Sequence, residues 1–437
     1  MDGTLKVIVV ALGSAGDVHP QMGLALALQQ RGHRVAFVGP VIFRALAERV
    51  GLEFIGVGRE EDYYRAIRDP DLWNPLRAFR SVAKYLLIPA LRPLYELIAA
   101  RLHEGSNLPA QERDRIVVAA PATAFGARIA QEQLGVPLAT VHLQPSLLRS
   151  FADPACYGFP DILRSLPPIL RRLYYRAADR WVIDPPIAKE VNAFRAELGL
   201  APVRRFFDRW LHSPELVIGL FPEWFAPAPP DWPPNVHAVG FPLWDEGEVR
   251  QPSRELEAFL AAGEPPVVFT AGSAMAQGRE FFGVSAEVCR RSGRRGLLLT
   301  QFPEQLPARL PDGVCHFHYI PFSEVLPQAA AFVHHGGIGT TAQALAAGVP
   351  QLVVPLAHDQ PDNAARVRRL GTGDYLLPKN YKPEKVQTRL EQLLASRAIH
   401  DSCRERANAL VERTALARAC DLIERLAAST KCENCTV

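Results

Sequence analysis

The chain has no apolar stretch approaching the roughly 18 residues that cross a bilayer. Its most hydrophobic long segment, Tyr85–Ala100, is broken by Pro89, Arg92 and Pro93. The first apolar run, in MDGTLKVIVVALGS, has no basic segment ahead of it and no small-residue cleavage site after a long hydrophobic core. It reads as a buried strand rather than a secretory leader, and a cytoplasmic protein is expected. Charge of one sign is also lacking. Forty-nine Lys and Arg against 46 Asp and Glu leave +3 over 437 residues, which argues against nucleic acid as a partner and against an acidic tail. No short-period repeat of the solenoid kind is visible. Cysteine is sparse at seven. Cys156, Cys289, Cys315, Cys403 and Cys420 are scattered, as suits reduced core thiols. Cys432 and Cys435 form a lone CxxC without the two further ligands of a zinc site, and read as a frayed tail. No metal site is expected.

What is present fits a globular α/β protein. Apolar residues make 48% and charged residues 22%, which excludes wholesale disorder. The first 60 residues alternate strand and helix. Lys6–Leu12 is a continuous apolar run of the kind buried on both faces of a parallel sheet. A helix over Gln21–Arg31, a strand over Arg34–Val38, a helix over Phe43–Val50 and a strand over Glu53–Val57 follow. The pattern returns with strands at Ile116–Ala120, Pro137–His142 and Leu216–Leu220. Residues 60–110 and 145–210, rich in Arg, Pro and aromatics, read as helical excursions between strands. Within them Arg164–Trp181 is basic and amphipathic: either a solvated helix or one that meets a membrane surface or an amphiphilic substrate.

The eight prolines of Phe221–Ser253 exclude regular helix and mark a stiff connection. The expected organisation is therefore an N-terminal domain over 1–225, a linker over 226–253 and a C-terminal domain over 254–437, whose last helix packs back on the first domain. Strands are expected at Pro266–Ala271, Gly296–Thr300, Val314–His318, Ala331–His334 and Gln351–Pro355. Two α/β domains joined this way enclose a cleft.

Two loops carry candidate chemistry. After the first strand comes GSAGDVHP, Gly13–Pro20. Its glycines permit a tight turn, but the GxxG spacing is no dinucleotide fingerprint. Asp17 in this loop is either a general base at the sheet edge or a helix cap. The second loop is HHGGIGTTAQALAAGVPQLVVPLAHDQPDN, from His334 to Asn363. Glycines and threonines at a helix N-terminus expose N–H groups and hydroxyls, an anion site suited to phosphate. His335 can add a hydrogen bond to a diphosphate. His334 is either a ligand or a satisfied core histidine. Asp359 and Gln360, at the end of the next strand, can hold vicinal sugar hydroxyls.

These segments resemble the nucleotide-sugar-dependent glycosyltransferases, the large family that includes plant UDP-glycosyltransferases and bacterial antibiotic and lipid glycosyltransferases. The resemblance spans the whole chain and implies the GT-B fold, two Rossmann-like domains with parallel sheets facing a cleft. It implies that Asp17 is the catalytic base, with no plant-type histidine at that position. It implies that His335, Gly337, Gly339, Thr340 and Thr341, with Gly272 and Ser273 of FTAGS, hold the donor diphosphate, and that Asp359 and Gln360 hold the sugar. Tyr319 and Ile320 stand where relatives place the nucleoside segment, with Phe322 in place of its usual Gln. Acceptor-side candidates are Ser14, His19, Phe151 and Tyr174, with Tyr85, Leu86, Leu91, Tyr157 and Phe159 as either pocket lining or core. No cofactor or obligatory metal is implied beyond the co-substrate, a dTDP- or UDP-sugar.

Asp69–Pro75, His212–Pro227 and Asp231–Leu243 further resemble the rhamnosyltransferases of rhamnolipid synthesis. That likeness implies transfer of L-rhamnose from dTDP-rhamnose to a hydroxyalkanoyloxy-alkanoic acid. A UDP-glucose-dependent transferase, a sugar-nucleotide epimerase or hydrolase, and a non-catalytic binding protein are the competing expectations.

Overall fold

The computed structural model of the chain describes residues 4–106, 115–250 and 253–433. Two sheets, parallel throughout, form its framework. The first contains β1 (Leu5–Val10), β2 (Arg34–Pro40), β3 (Glu53–Val57), β4 (Arg115–Ala120), β5 (Leu138–His142), β6 (Leu216–Gly219) and β7 (Val236–Ala238). Their order is β3-β2-β1-β4-β5-β6-β7. The second contains β8 (Val267–Thr270), β9 (Gly296–Leu299), β10 (Val314–Phe317), β11 (Ala331–His334), β12 (Gln351–Val353) and β13 (Gly373–Tyr375), in the order β10-β9-β8-β11-β12-β13. In each sheet the order reverses beside the first strand, between β1 and β4 and between β8 and β11. The crevice outside the strand ends at such a reversal is where α/β sheets take ligands. The loops after β1 and β11 are those two places.

The strands are apolar because both faces are covered. Val7, Val9, Val117 and Ala139 meet the helix Ala15–Gln30 and the C-terminal helix Ala415–Glu433 in one core. Ile8, Val10 and Val118 meet the helix Ile88–Ser106 in another. The C-terminal helix thus lies on the first domain, and Arg31 holds it through Asp421 at 2.7 Å and Glu424 at 3.0 Å.

Two expectations need correction. The first helix begins at Ala15, not Gln21, and runs through Pro20. Ser14 caps it and Asp17 occupies its first turn. Pro20 has no N–H and leaves the Gly16 carbonyl without its i+4 partner. The proline-rich stretch expected as a linker over 226–253 contributes β7, which pairs with β6 through Val217 and Val236. Phe225, Val239 and Phe241 join the same core, so only the later part of that stretch serves as a connection. A seventh edge strand needs few hydrogen bonds, which tolerates prolines on either side. Short β13 and the helices Arg254–Ala261 and Arg397–Asn408 complete the second domain. The Cys432 and Cys435 pair falls outside the residues whose side chains are described. The five other cysteines are unpaired.

The domains are joined by specific contacts. On the helix Gln360–Arg369, Arg366 Nε donates to Asp362 Oδ2 at 2.7 Å, and Arg366 Nη1 donates to the Phe225 carbonyl at 2.9 Å. The Cys156 N–H donates to Asp362 Oδ1 at 2.9 Å. Asp362 is 0% and Arg366 4% exposed. Removing one member strands a buried charge. Asp362→Ala is therefore expected to cost about 3–5 kcal/mol, read as a lowered denaturant midpoint. A change within 1 kcal/mol, a surface pair's worth, would remove this pair as a domain link.

Candidate active site

Asp17 is placed by backbone geometry. Ser14 N–H donates to its Oδ2 at 2.9 Å, the reciprocal bond of a capping box. Gly13 has φ +133°, and a Cβ there would fall on the Asp17 carboxylate. The N-cap itself is Ser14; Asp17, at the third helical position, closes the capping box and lines the cleft. Burial pushes its pKa up to about 6 against the lowering effect of the Ser14 bonds. Tyr63, close enough to feel that charge, also lines the cleft, and burial and Asp17 raise its phenol pKa.

Across the cleft, the helix Ile338–Ala347 starts at Gly337. Its first-turn N–H groups and dipole face the same space. His335 is wedged beside them. A Cβ on Gly272, which has φ +99°, would sit 2.9 Å from its ring, and one on Gly337 2.5 Å from its Nε2. His335 Nδ1 is buried and has no hydrogen-bond partner in the protein. Burial, with the charge of His358, holds its pKa down at about 4, so the imidazole is neutral near pH 7. Thr341 Oγ1 is likewise buried and unpartnered, while Thr340 and Gly339 line the cleft. A Cβ on Gly339 would lie 3.6 Å from the Gly16 carbonyl, so the two loops nearly touch. Gly272→Ala is expected to displace His335 and weaken nucleoside diphosphate binding by about 10-fold or more, measured by titration calorimetry. Unchanged affinity would sever the glycine from the anion site.

His334 is the core histidine. It is 0% exposed, its Nε2 lies 3.0 Å from Gln351 Oε1, and its Nδ1 accepts from Gly336 N–H at 3.1 Å. Asp359 Oδ2 accepts from Ile338 N–H at 3.1 Å and Asn363 Nδ2 at 2.7 Å. Burial first, then the charge of Asp17, raises its pKa to about 7. The two carboxylates therefore share one site from opposite domains. Gln360 Oε1 accepts from Leu356 and Ala357 N–H groups at 2.8 and 3.2 Å, which fixes the turn that presents Asp359.

Asp17, Ser14, His19, Gly272, Ser273, Tyr319, Ile320, His335, Gly337, Gly339, Thr340, Asp359, Gln360 and Tyr174 all line one cavity of about 1160 Å³. Thr341 stands behind that lining. His19 is drawn into the hinge: its Nε2 lies 3.3 Å from Glu246 Oε1 and its ring meets Trp244 and Tyr319 edge-on. Tyr319 donates to the Asp245 carbonyl at 2.8 Å and carries Arg250 over one face at 4.6 Å. Phe151 is a correction. It lies outside the cavity, packed on Tyr175 under the Arg172 guanidinium. Leu91 belongs to a buried cluster, and Phe159 stacks on Tyr375 of the second domain at 4.0 Å. Tyr85, Leu86 and Tyr157 do line the cavity.

Sequence reasoning missed Trp73, whose ring meets His358 edge-on at 5.7 Å and so carries the first excursion onto the second domain. It also missed Arg149 and His142, both of which line the first-domain lobe. His142 ends a strand and carries no local signal, and the single tryptophan of DLWNP has no pattern that marks it as a domain contact. The Arg164–Trp181 region forms the helix Pro168–Ala178 and a π-helical turn Asp179–Ile183. Ile169, Leu173 and Trp181 are exposed on it. Among the described residues, no helix is long and apolar enough to cross a membrane.

Residues 7–152 match the glycosyltransferase family 28 N-terminal domain. Residues 299–423 match the erythromycin biosynthesis protein CIII-like C-terminal domain. The chain is 33% identical over 428 residues to the O-mycaminosyltylonolide 6-deoxyallosyltransferase of Streptomyces fradiae, covering 97% of this chain and 98% of the relative. It is 31% identical to the glycosyltransferase GtfC of Amycolatopsis orientalis, covering 84% and 85%. The crystal structure of the kitacinnamycin glycosyltransferase superposes with a TM-score of 0.71 at 22% identity, covering 98% and 99%. With two parallel sheets facing one cleft and sequence likeness along nearly its whole length, the chain belongs to the GT-B nucleotide-sugar glycosyltransferases and is a hexosyltransferase.

Proposed function

We propose that the chain is an inverting glycosyltransferase that moves a hexose from a dTDP- or UDP-sugar to a hydroxyl of a small hydrophobic acceptor. The observation that carries this reading is the opposition, in one cavity, of a buried carboxylate and an anion-binding helix terminus. Asp17 accepts the proton of the acceptor hydroxyl as its oxygen attacks the anomeric carbon. The bond from that carbon to the diphosphate breaks, and the leaving charge is taken up by His335 and the N–H groups of the loop. One base and one leaving-group site give a single displacement with inversion. Asp359 and Gln360 hold the sugar hydroxyls between the two.

The first-domain lobe, with Trp73, Phe79, Leu86 and Phe207, suits an apolar acceptor. A 6-deoxyhexose donor is favoured by the relative named for 6-deoxyallosyl transfer. L-rhamnose from dTDP-rhamnose and a hydroxyalkanoyloxy-alkanoic acid are one specific pair within this reading, and UDP-glucose with a different small acceptor is another. The exposed Ile169, Leu173 and Trp181, beside Arg172, Arg176 and Arg180, favour peripheral contact with an anionic membrane or amphiphile.

The experiment is a donor-by-acceptor screen read by mass spectrometry. dTDP-rhamnose or UDP-glucose would each meet the lipid acid, a macrolide aglycone, phenols and sterols. Conjugate that depends on both partners supports the reading, and its identity selects the pair. Donor consumption without any conjugate would move the protein to the epimerase or hydrolase class.

A further inference from the structure

The first-domain lobe contains a buried polar atom that no protein group satisfies. His142, the last residue of β5, lines the cavity and is 1% exposed. Its Nε2 lies 3.0 Å from His212 Nδ1. Its Nδ1 is buried and has no hydrogen-bond partner in the protein. An unsatisfied buried nitrogen costs stability comparable to a lost hydrogen bond, so its retention at a cavity wall points to a ligand atom. If His212 accepts, His142 presents a lone pair at Nδ1; if His212 donates, it presents an N–H. Either form meets an oxygen, through an O–H in the first case and a lone pair in the second.

The surroundings say what kind of oxygen. Burial and the charge of His212 drive the His142 pKa well down, and burial with Arg149 and Arg128 holds His212 at about 4. Both rings are therefore neutral at pH 7. Arg149, the neighbouring cation, is held in a two-point pair by Asp179 at 2.8 and 2.6 Å. Arg128 faces Glu132 at 3.4 Å, so both cations near the histidine pair already carry a carboxylate. The position says where the oxygen lies. In the order β1-β4-β5, His142 ends the second strand from β1, after which Asp17 follows. Two interstrand spacings separate the ends of β1 and β5 by roughly 10 Å, and Asp17 lies beyond the end of β1, in the first turn of the next helix.

We propose that His142 is an acceptor-binding residue that reads a neutral carbonyl or hydroxyl oxygen at a distance from the hydroxyl that receives the sugar. It rests on the reading of this cleft as a glycosyltransferase site and narrows the acceptor to an apolar body with a second, uncharged oxygen.

Three rigid four-ring phenols test it: estradiol, estrone and 17-deoxyestradiol, which carry a hydroxyl, a carbonyl or nothing at the end opposite the phenol. Binding to the full chain with dTDP present is measured by equilibrium dialysis for wild type, His142→Phe and His142→Gln. Wild type is expected to prefer one oxygenated steroid over the deoxy compound by about 10-fold or more. Whether estradiol or estrone leads identifies a hydroxyl or a carbonyl. His142→Phe should remove the preference by weakening only the oxygenated ligand, and His142→Gln should keep part of it. Unchanged dTDP affinity in both variants shows that the cleft is intact. Equal binding of the three steroids by wild type, no binding of any, or the same preference in His142→Phe would overturn the proposal. The transfer screen judges the glycosyltransferase reading separately: conjugate formed with an unaltered oxygen preference in His142→Phe strikes only the role of His142.

Discussion

Asp17→Asn is expected to lower transfer by about 10²–10⁴-fold while leaving nucleoside diphosphate affinity within about twofold. Asparagine keeps an oxygen to accept the Ser14 N–H and so preserves the helix cap, but it cannot take a proton. The contrast between lost chemistry and kept binding separates a base from a structural aspartate. The pH profile gives an independent check. The base must be ionised, and burial places its pKa at about 6. For a transfer-competent chain, kcat/KM should therefore fall as pH drops through about 6 and level off above it. Full activity at pH 5, or an Asp17→Asn variant that transfers normally, would place the proton elsewhere.

His335→Ala should lower kcat/KM by about 10²-fold or more, with nucleoside diphosphate binding weakened in parallel. Two features set this expectation. The ring is held between Gly272 and Gly337 without slack, and its buried Nδ1 has no protein partner. His334→Ala is the informative contrast. That residue bonds Gln351 and the Gly336 N–H inside the core, so its loss should lower the denaturation midpoint rather than select against the donor. Stopped-flow transfer and calorimetric dTDP titration on both variants distinguish the roles. Equal effects on donor affinity would mean that neighbouring histidines act as one unit.

Much of this is legible in the sequence alone. Strands such as β8 and β11 are continuous apolar runs followed by glycine, and local burial dictates them. The His335 loop is legible because a strand, a run of glycines and the start of a helix follow one another in sequence. Other features left no local trace. Pro20 reads as a helix boundary, yet the capping box of Ser14 and Asp17 starts the helix at Ala15, between one and two turns earlier. The strand β7 has three residues between prolines, too few for a period. Phe151 read as acceptor lining because it is aromatic, but the Arg172 and Tyr175 contacts that cover it come from a helix 20 residues on. Trp73 on His358, Phe159 on Tyr375 and Cys156 on Asp362 join residues more than 200 positions apart. Only the folded chain reveals such pairs, and they decide which aromatics face the cleft and which seal the domains together.

The most direct measurement is the anomeric configuration of the product, followed by NMR as the reaction runs with dTDP-rhamnose or UDP-glucose and whichever acceptor forms conjugate. A single displacement with Asp17 as base and the His335 loop as leaving-group site predicts one inverted anomer. It should appear at the rate of nucleoside diphosphate release, and only with acceptor present. A retained anomer, or donor breakdown at the same rate without acceptor, would contradict it.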